Sequence, residues 1–167
     1  MQRILIIGCP GGGKTTFAKS LGAKLSIPVY HLDKYFWKEN WTPIPQDEFR
    51  KIQNELMQEN RWIIDGNFTK SIDNRIIAAD TIILFDFPKV INIWRTLKRF
   101  LRHFGAVRTD MGGGNKEALQ WVHIKYILTF PRKEFSAKIT ELTVGKRVIV
   151  LRNSEDVSRF FEGVQEQ

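Results

Sequence analysis

The chain has 167 residues and a formal charge of +8, a length that fits one domain built on a single sheet covered on both faces. No uncharged apolar stretch reaches the roughly 18 residues of a membrane span, and the first residues run straight into a strand pattern, so no membrane contact or signal peptide is expected and the protein is read as soluble and cytoplasmic. The only cysteine, Cys9, excludes internal disulfides and cysteine-based zinc sites.

Arg3 to Ile7 is a continuous apolar run suited to a strand buried on both faces, and Lys14 to Leu25 carries helical spacing in Phe17, Ala18, Leu21 and Leu25. Between them lies Gly8-Cys9-Pro10-Gly11-Gly12-Gly13-Lys14-Thr15, the pattern of a phosphate-binding loop in its required strand–loop–helix setting. Converging backbone N–H groups hold phosphate oxygens only where side chains are absent, which explains Gly8, Gly11, Gly12 and Gly13. The helix start adds unsatisfied amides and the positive dipole end. Lys14 supplies an ammonium for the β- and γ-phosphates, the Thr15 hydroxyl suits a magnesium shell, and Thr16 reaches toward the α-phosphate.

Val29 to Leu32 reads as a short second strand ending at Asp33, at the sheet edge where ligands of open parallel sheets bind. A carboxylate there meets a substrate hydroxyl and takes its proton, or caps a helix. His31 is read as structural. Tyr35 to Trp41 holds four aromatic residues without period, and two readings stand: Trp37 and Trp41 line an acceptor pocket, or the run is the underside of a loop. The acceptor-binding segment is read as about residues 33–60, with an amphipathic helix from Gln46 to Glu59 directing Phe49, Ile52, Leu56 and Met57 inward.

Trp62 to Phe68 is a third strand and its exit. If it neighbours the first, Asp65 stands beside the phosphate loop as partner of magnesium. Arg75, on the next helix, reaches an acceptor group or forms a surface ion pair. Thr81 to Phe85 is the fourth strand. In the following helix Arg95, Lys98, Arg99 and Arg102 share a sector of about 100°, opposite Val90, Trp94, Leu97, Leu101 and Phe104, which reads as a core face and a cationic face. Residues 88–152 hold 14 Lys/Arg against 4 Asp/Glu, suited to neutralising a triphosphate and a transferring phosphoryl group. Gly105 to Asn115, with Arg108 and three consecutive glycines, reads as a closing lid of about residues 104–116. Helices over about 116–129 and 131–142, a fifth strand from Lys146 to Leu151, and a helix from Glu155 to Glu162 capped by Asn153-Ser154 complete the chain.

These segments together resemble the adenylate kinase-like P-loop kinases. The loop is close to that family's Gly-x-Pro-Gly-x-Gly-Lys, Asp65-Gly66 matches its Asp-Gly after the third strand, and Asp86-x-Pro88 its Asp-x-Pro. Arg95 and Arg99 fall at the offsets of its base-stacking and phosphate-binding arginines. A closer likeness is to DNA topology modulation proteins of the FlaR type, carried by His31-Leu32-Asp33, Trp37 with Trp41, Trp62 to Asn67, and Arg108-x-Asp110-Met111. Asn67-Phe68-Thr69 departs from the Phe-Pro-Arg of true adenylate kinases, and the second strand ends in an acid and aromatics; both changes fall in the acceptor site, Asn67 with them, and argue against AMP.

The resemblance implies a three-layer α/β domain over residues 1–167, with a five-stranded parallel sheet in the order 2-3-1-4-5. It implies ATP- and magnesium-dependent phosphoryl transfer to a small-molecule acceptor. In that reading Arg95 stacks on the base, and Arg99, Arg102 and Arg108 screen the transferring group. An ATP-binding regulator acting on DNA by direct nucleic-acid binding is the alternative, and the sequence leaves the oligomeric state open.

Overall fold

The computed structural model describes residues 1–103 and 121–164. Its centre is a sheet of five parallel strands, β1 (Arg3–Gly8), β2 (Val29–His31), β3 (Trp62–Asp65), β4 (Thr81–Phe85) and β5 (Arg147–Leu151), in the order β2-β3-β1-β4-β5. This is the order expected from sequence. The continuous apolar runs follow from burial on both faces. Successive side chains alternate across a strand, so Leu5 and Ile7 pack with Ile64, Ile82 and Leu84 on one side, and Ile4 and Ile6 with Ile63 and Ile83 on the other.

The second of these faces is covered by α1 (Lys14–Leu25), through Phe17, Leu21 and Leu25, and by α8 (Ser154–Gly163), through Phe160 and Phe161. Asn153 caps α8 by accepting from the Asp156 N–H at 2.8 Å. Opposite lie Leu32 and Phe36 of α2 (Leu32–Phe36), Phe49 of α3 (Gln46–Met57), and Ile72 and Ile76 of α4 (Ile72–Ala78), with Ile127 of α6 (Trp121–Thr129) and Phe135 and Ile139 of α7 (Arg132–Leu142). No helix of the described residues is long and apolar enough to cross a membrane.

Two expectations are corrected. The second strand stops at His31, and Asp33 lies in the first turn of a five-residue helix. So short a helix is below what propensity sustains; burial of Leu32 and Phe36 holds it.

The second correction concerns α5 (Lys89–His103). Its apolar stripe faces outward, with Val90 77%, Trp94 58% and Leu101 67% exposed, while Asn92 and Thr96 are buried. The helix starts over the phosphate loop rather than over apolar sheet. Its inner face lies against Gly11, and the polar groups there are satisfied locally: Asn92 Nδ2 donates to the Phe87 carbonyl at 3.2 Å, and Thr96 Oγ1 to the Asn92 carbonyl one turn back at 2.8 Å.

The lid segment, Arg108 and the start of the helix read over 116–129 lie outside the described residues.

Candidate phosphoryl-transfer site

β1 delivers the loop to the carboxyl edge of the sheet, and its register against β3 (Ile6 beside Asp65) sets Asp65 next to it. Gly8, Gly11 and Gly13 have positive φ, at 133°, 81° and 94°, whereas Gly12 does not. At Gly11 a Cβ would strike the Asn92 carbonyl and the Thr96 hydroxyl, so α5 as well as the left-handed backbone demands glycine there. Lys14 Nζ donates to the Gly8 carbonyl at 2.9 Å and the Cys9 carbonyl at 3.1 Å. Burial pushes this ammonium below its ordinary pKa, Asp65 and Asp33 pull it back up, and Arg99 adds to the fall. Burial likewise raises the Cys9 thiol, against the nearby Asn92 side chain, which keeps it a neutral filler.

Asp65 is 6% exposed. Its Oδ2 accepts from Thr15 Oγ1 at 2.9 Å and lies 3.1 Å from His31 Nδ1. A carboxylate only accepts, so the imidazole donates there. His31, read from sequence as structural, thus holds Asp65 in line with Thr15, a contact set by the pairing of β2 with β3 (His31 beside Asp65).

One cavity of about 350 Å³ brings Pro10, Gly11, Lys14 and Thr15 together with Asp33, Trp37, Asp65, Asn67 and Arg99. Gly66, Phe68, Thr69, Thr96, Tyr126 and Ile127 complete it; Phe68 and Thr69 belong to the segment read as falling in the acceptor site, whereas Thr96, Tyr126 and Ile127 were not foreseen. Burial raises the Tyr126 hydroxyl pKa, and hydrogen bonding with the Asn67 side chain opposes that rise.

A second cavity of about 450 Å³ opens on the other side of the loop, lined by Gly12, Gly13, Thr16, Phe87, Arg95 and the α8 residues Ser154 and Ser158. The Arg95 guanidinium sits 4.5 Å over the Phe87 ring, donating to the Gly12 carbonyl at 2.8 Å and to Ser154 Oγ at 3.2 Å.

Three residues read as site contacts stand elsewhere. Trp41 packs edge-on against Trp37, ring centroids 5.8 Å apart, outside the cavity that Trp37 lines. Arg102 is exposed and lines neither cavity. Arg75 is fully buried, and donates to the carbonyls of Gly66 at 2.6 Å, Asn67 at 2.5 Å and Phe68 at 3.0 Å. It fastens the loop after β3 instead of reaching an acceptor. Asn67 does line the cavity, but its amide pairs with Gly8: Oδ1 accepts from the Gly8 N–H and Nδ2 donates to its carbonyl, each at 2.9 Å.

A parallel sheet in this order, with a Gly-rich loop running from β1 into α1 and a carboxylate at the neighbouring strand end, is the fold of the P-loop kinases. Known proteins agree with that fold. A shikimate kinase from Bacteroides thetaiotaomicron superposes with a TM-score of 0.57 at 17% identity, covering 96% of each chain. One from Acinetobacter baumannii in complex with shikimate superposes with a TM-score of 0.59 at 14% identity, covering 97% of this chain and 92% of that one. In sequence, a shikimate kinase from Azobacteroides pseudotrichonymphae genomovar. CFP2 is 34% identical over 71 residues, or 37% of this chain. The match spans 42% of that relative's length. No family model matches the chain.

Proposed function

We propose that the protein is an ATP- and magnesium-dependent phosphotransferase that moves the γ-phosphoryl group to a hydroxyl of a small acceptor. The observation that carries this reading is the single cavity in which the Lys14 ammonium, the Thr15–Asp65 pair and the Asp33 carboxylate meet. The partial match to a shikimate kinase supports it.

The loop amides and Lys14 bind the β- and γ-phosphates. To do so Lys14 leaves the Gly8 and Cys9 carbonyls it caps. Asp33 accepts the acceptor hydroxyl and receives its proton as the oxygen attacks the γ-phosphorus. A new O–P bond forms, the bond to the bridging β–γ oxygen breaks, and its electron pair leaves with ADP. Arg99 and, from the segment outside the described residues, Arg108 neutralise charge on the transferring group; Arg102 would have to turn in to join them. Arg95 on Phe87 offers a face to the base beside Thr16, in the second cavity.

The donor set suits magnesium. A hydroxyl and a carboxylate oxygen 2.9 Å apart beside the phosphate amides are the few protein oxygens this ion takes when phosphates and water supply the rest. Thr15 and Asp65 would hold it, directly or through water, and when bound it offsets phosphate charge.

The closer likeness to FlaR-type topology modulation proteins rests on sequence segments alone, and the fold and relative do not favour the regulator acting by direct DNA binding. We place the reaction in the cytoplasm, where ATP is supplied. The test is an ATP-consumption screen over nucleosides, nucleoside monophosphates and hydroxylated metabolites, shikimate included. Lys14→Ala should lower turnover at least about 100-fold, the cost of losing one transition-state donor. Asp33→Asn should abolish acceptor-dependent turnover and spare ATP binding. Turnover unchanged in Lys14→Ala would sink the proposal.

A further inference from the structure

We infer that His31 is a positioning residue for the magnesium ion, an inference that rests on the reading of Thr15 and Asp65 as the pair that holds the ion. β2 and β3 run in parallel register with His31 beside Asp65, and β3 in turn sets Asp65 beside Ile6 of β1, the strand that leads into the phosphate loop. The edge strand thus ends in an imidazole against the carboxylate, each residue only 6% exposed. His31 does not line the cavity, so it acts through Asp65 and not on a substrate.

Two donors converge on one atom. Asp65 Oδ2 accepts from Thr15 Oγ1 at 2.9 Å and lies 3.1 Å from His31 Nδ1, which donates to it. A hydroxyl has one proton and two lone pairs, so while Thr15 gives its proton to Asp65 its lone pairs point away from the carboxylate, where a cation can take one.

That arrangement holds only while the carboxylate keeps its orientation. The terminal torsion of an aspartate is broad, and with the Thr15 hydroxyl as its partner on this oxygen the group could turn and let the hydroxyl turn with it. A second donor, fixed to the end of a paired strand, removes that freedom, as the outer partners of metal ligands do. Packing asks for no such donor. An apolar side chain would fill the place, whereas an imidazole buried this deeply is costly unless its N–H is bonded.

The experiment measures, by calorimetry on the full chain, the Kd for ATP in excess magnesium and again in EDTA; the ratio of the two is the ion's contribution. In His31→Leu that ratio should shrink about tenfold or more, the loss that follows removal of a metal ligand's partner, with the Kd in EDTA unchanged. His31→Asn sets an amide N–H near the place of Nδ1 and should restore most of the ratio. His31→Gln reaches the place of Nε2 instead, so it should behave as leucine does, and it carries the test if the leucine variant does not fold. Equal weakening of both Kd values would make His31 a packing residue and overturn the inference. A ratio unmoved by leucine or glutamine, or lost in the asparagine variant as well, would overturn it too. If the wild type binds ATP equally with magnesium and with EDTA, the reading of Thr15 and Asp65 as the magnesium pair falls first, and this inference with it.

Discussion

Asn67 and Lys14 meet at one atom, the Gly8 carbonyl oxygen, which each reaches at 2.9 Å. In the proposed reaction Lys14 lets go of it to bind the nucleotide while Asn67 stays, so the carbonyl keeps a donor throughout. An unpaired buried carbonyl costs about 1–3 kcal/mol, and Asn67→Ala should therefore weaken ATP binding about tenfold or more. Asn67→Asp keeps the acceptor for the Gly8 N–H but turns an oxygen toward the carbonyl, so its loss should equal or exceed that of alanine. Calorimetric titration with ATP measures both. Equal affinities in wild type and the two variants would remove Asn67 from the nucleotide's response. None of this was legible in the sequence, where Asn67 and Arg75 stood out only as polar residues near an acceptor. Which carbonyls gather around a side chain is a product of tertiary folding.

At the scale of elements, legibility followed the kind of neighbour each one meets. β1, β3 and β4 and the helix α1 were readable because apolar sheet and apolar helix faces meet, and periodicity reports that contact. α5 was read backwards because the same rule assumes an apolar neighbour. The helix lies against the loop at Gly11, so Asn92 and Thr96 turn inward, their polar groups bonded to the Phe87 carbonyl and within the helix, and the Val90, Trp94, Leu101 stripe turns out. A measurable ordering follows. Trp94→Ser and Leu101→Ser should shift stability by less than about 0.5 kcal/mol, as exposed positions do. Asn92→Leu should cost about 1–3 kcal/mol by leaving the Phe87 carbonyl unpaired and crowding Gly11. Urea midpoints at constant slope would show it. The reverse ordering would mean that the sequence-based face was right.

Over the whole molecule, the sheet order sets the phosphate loop between two cavities. β1 is central, with β3 bringing Asp65 to one side and β4 leading through Phe85 and Phe87 to the other. The sequence made this division readable in outline, since Asp33 and Arg95 sit on either side of the loop's reach. It did not reveal that α8 walls the second cavity, because Ser154 and Ser158 carry no chemical signature of a base. If triphosphate and base occupy separate sides, they should be separable by one substitution. Ser158 lies in the α8 wall, away from the loop amides proposed to bind phosphate, so Ser158→Phe should fill part of the 450 Å³ cavity and leave those amides intact. ATP affinity should then fall at least about tenfold, roughly the 1.4 kcal/mol of a poorly seated base, while inorganic tripolyphosphate binds as before. Thermal-shift titrations with the two ligands, whose stabilisation follows ligand concentration over Kd, give the comparison. Parallel loss of both ligands would mean that α8 supports the loop, and unchanged affinity for both would move the base out of this cavity.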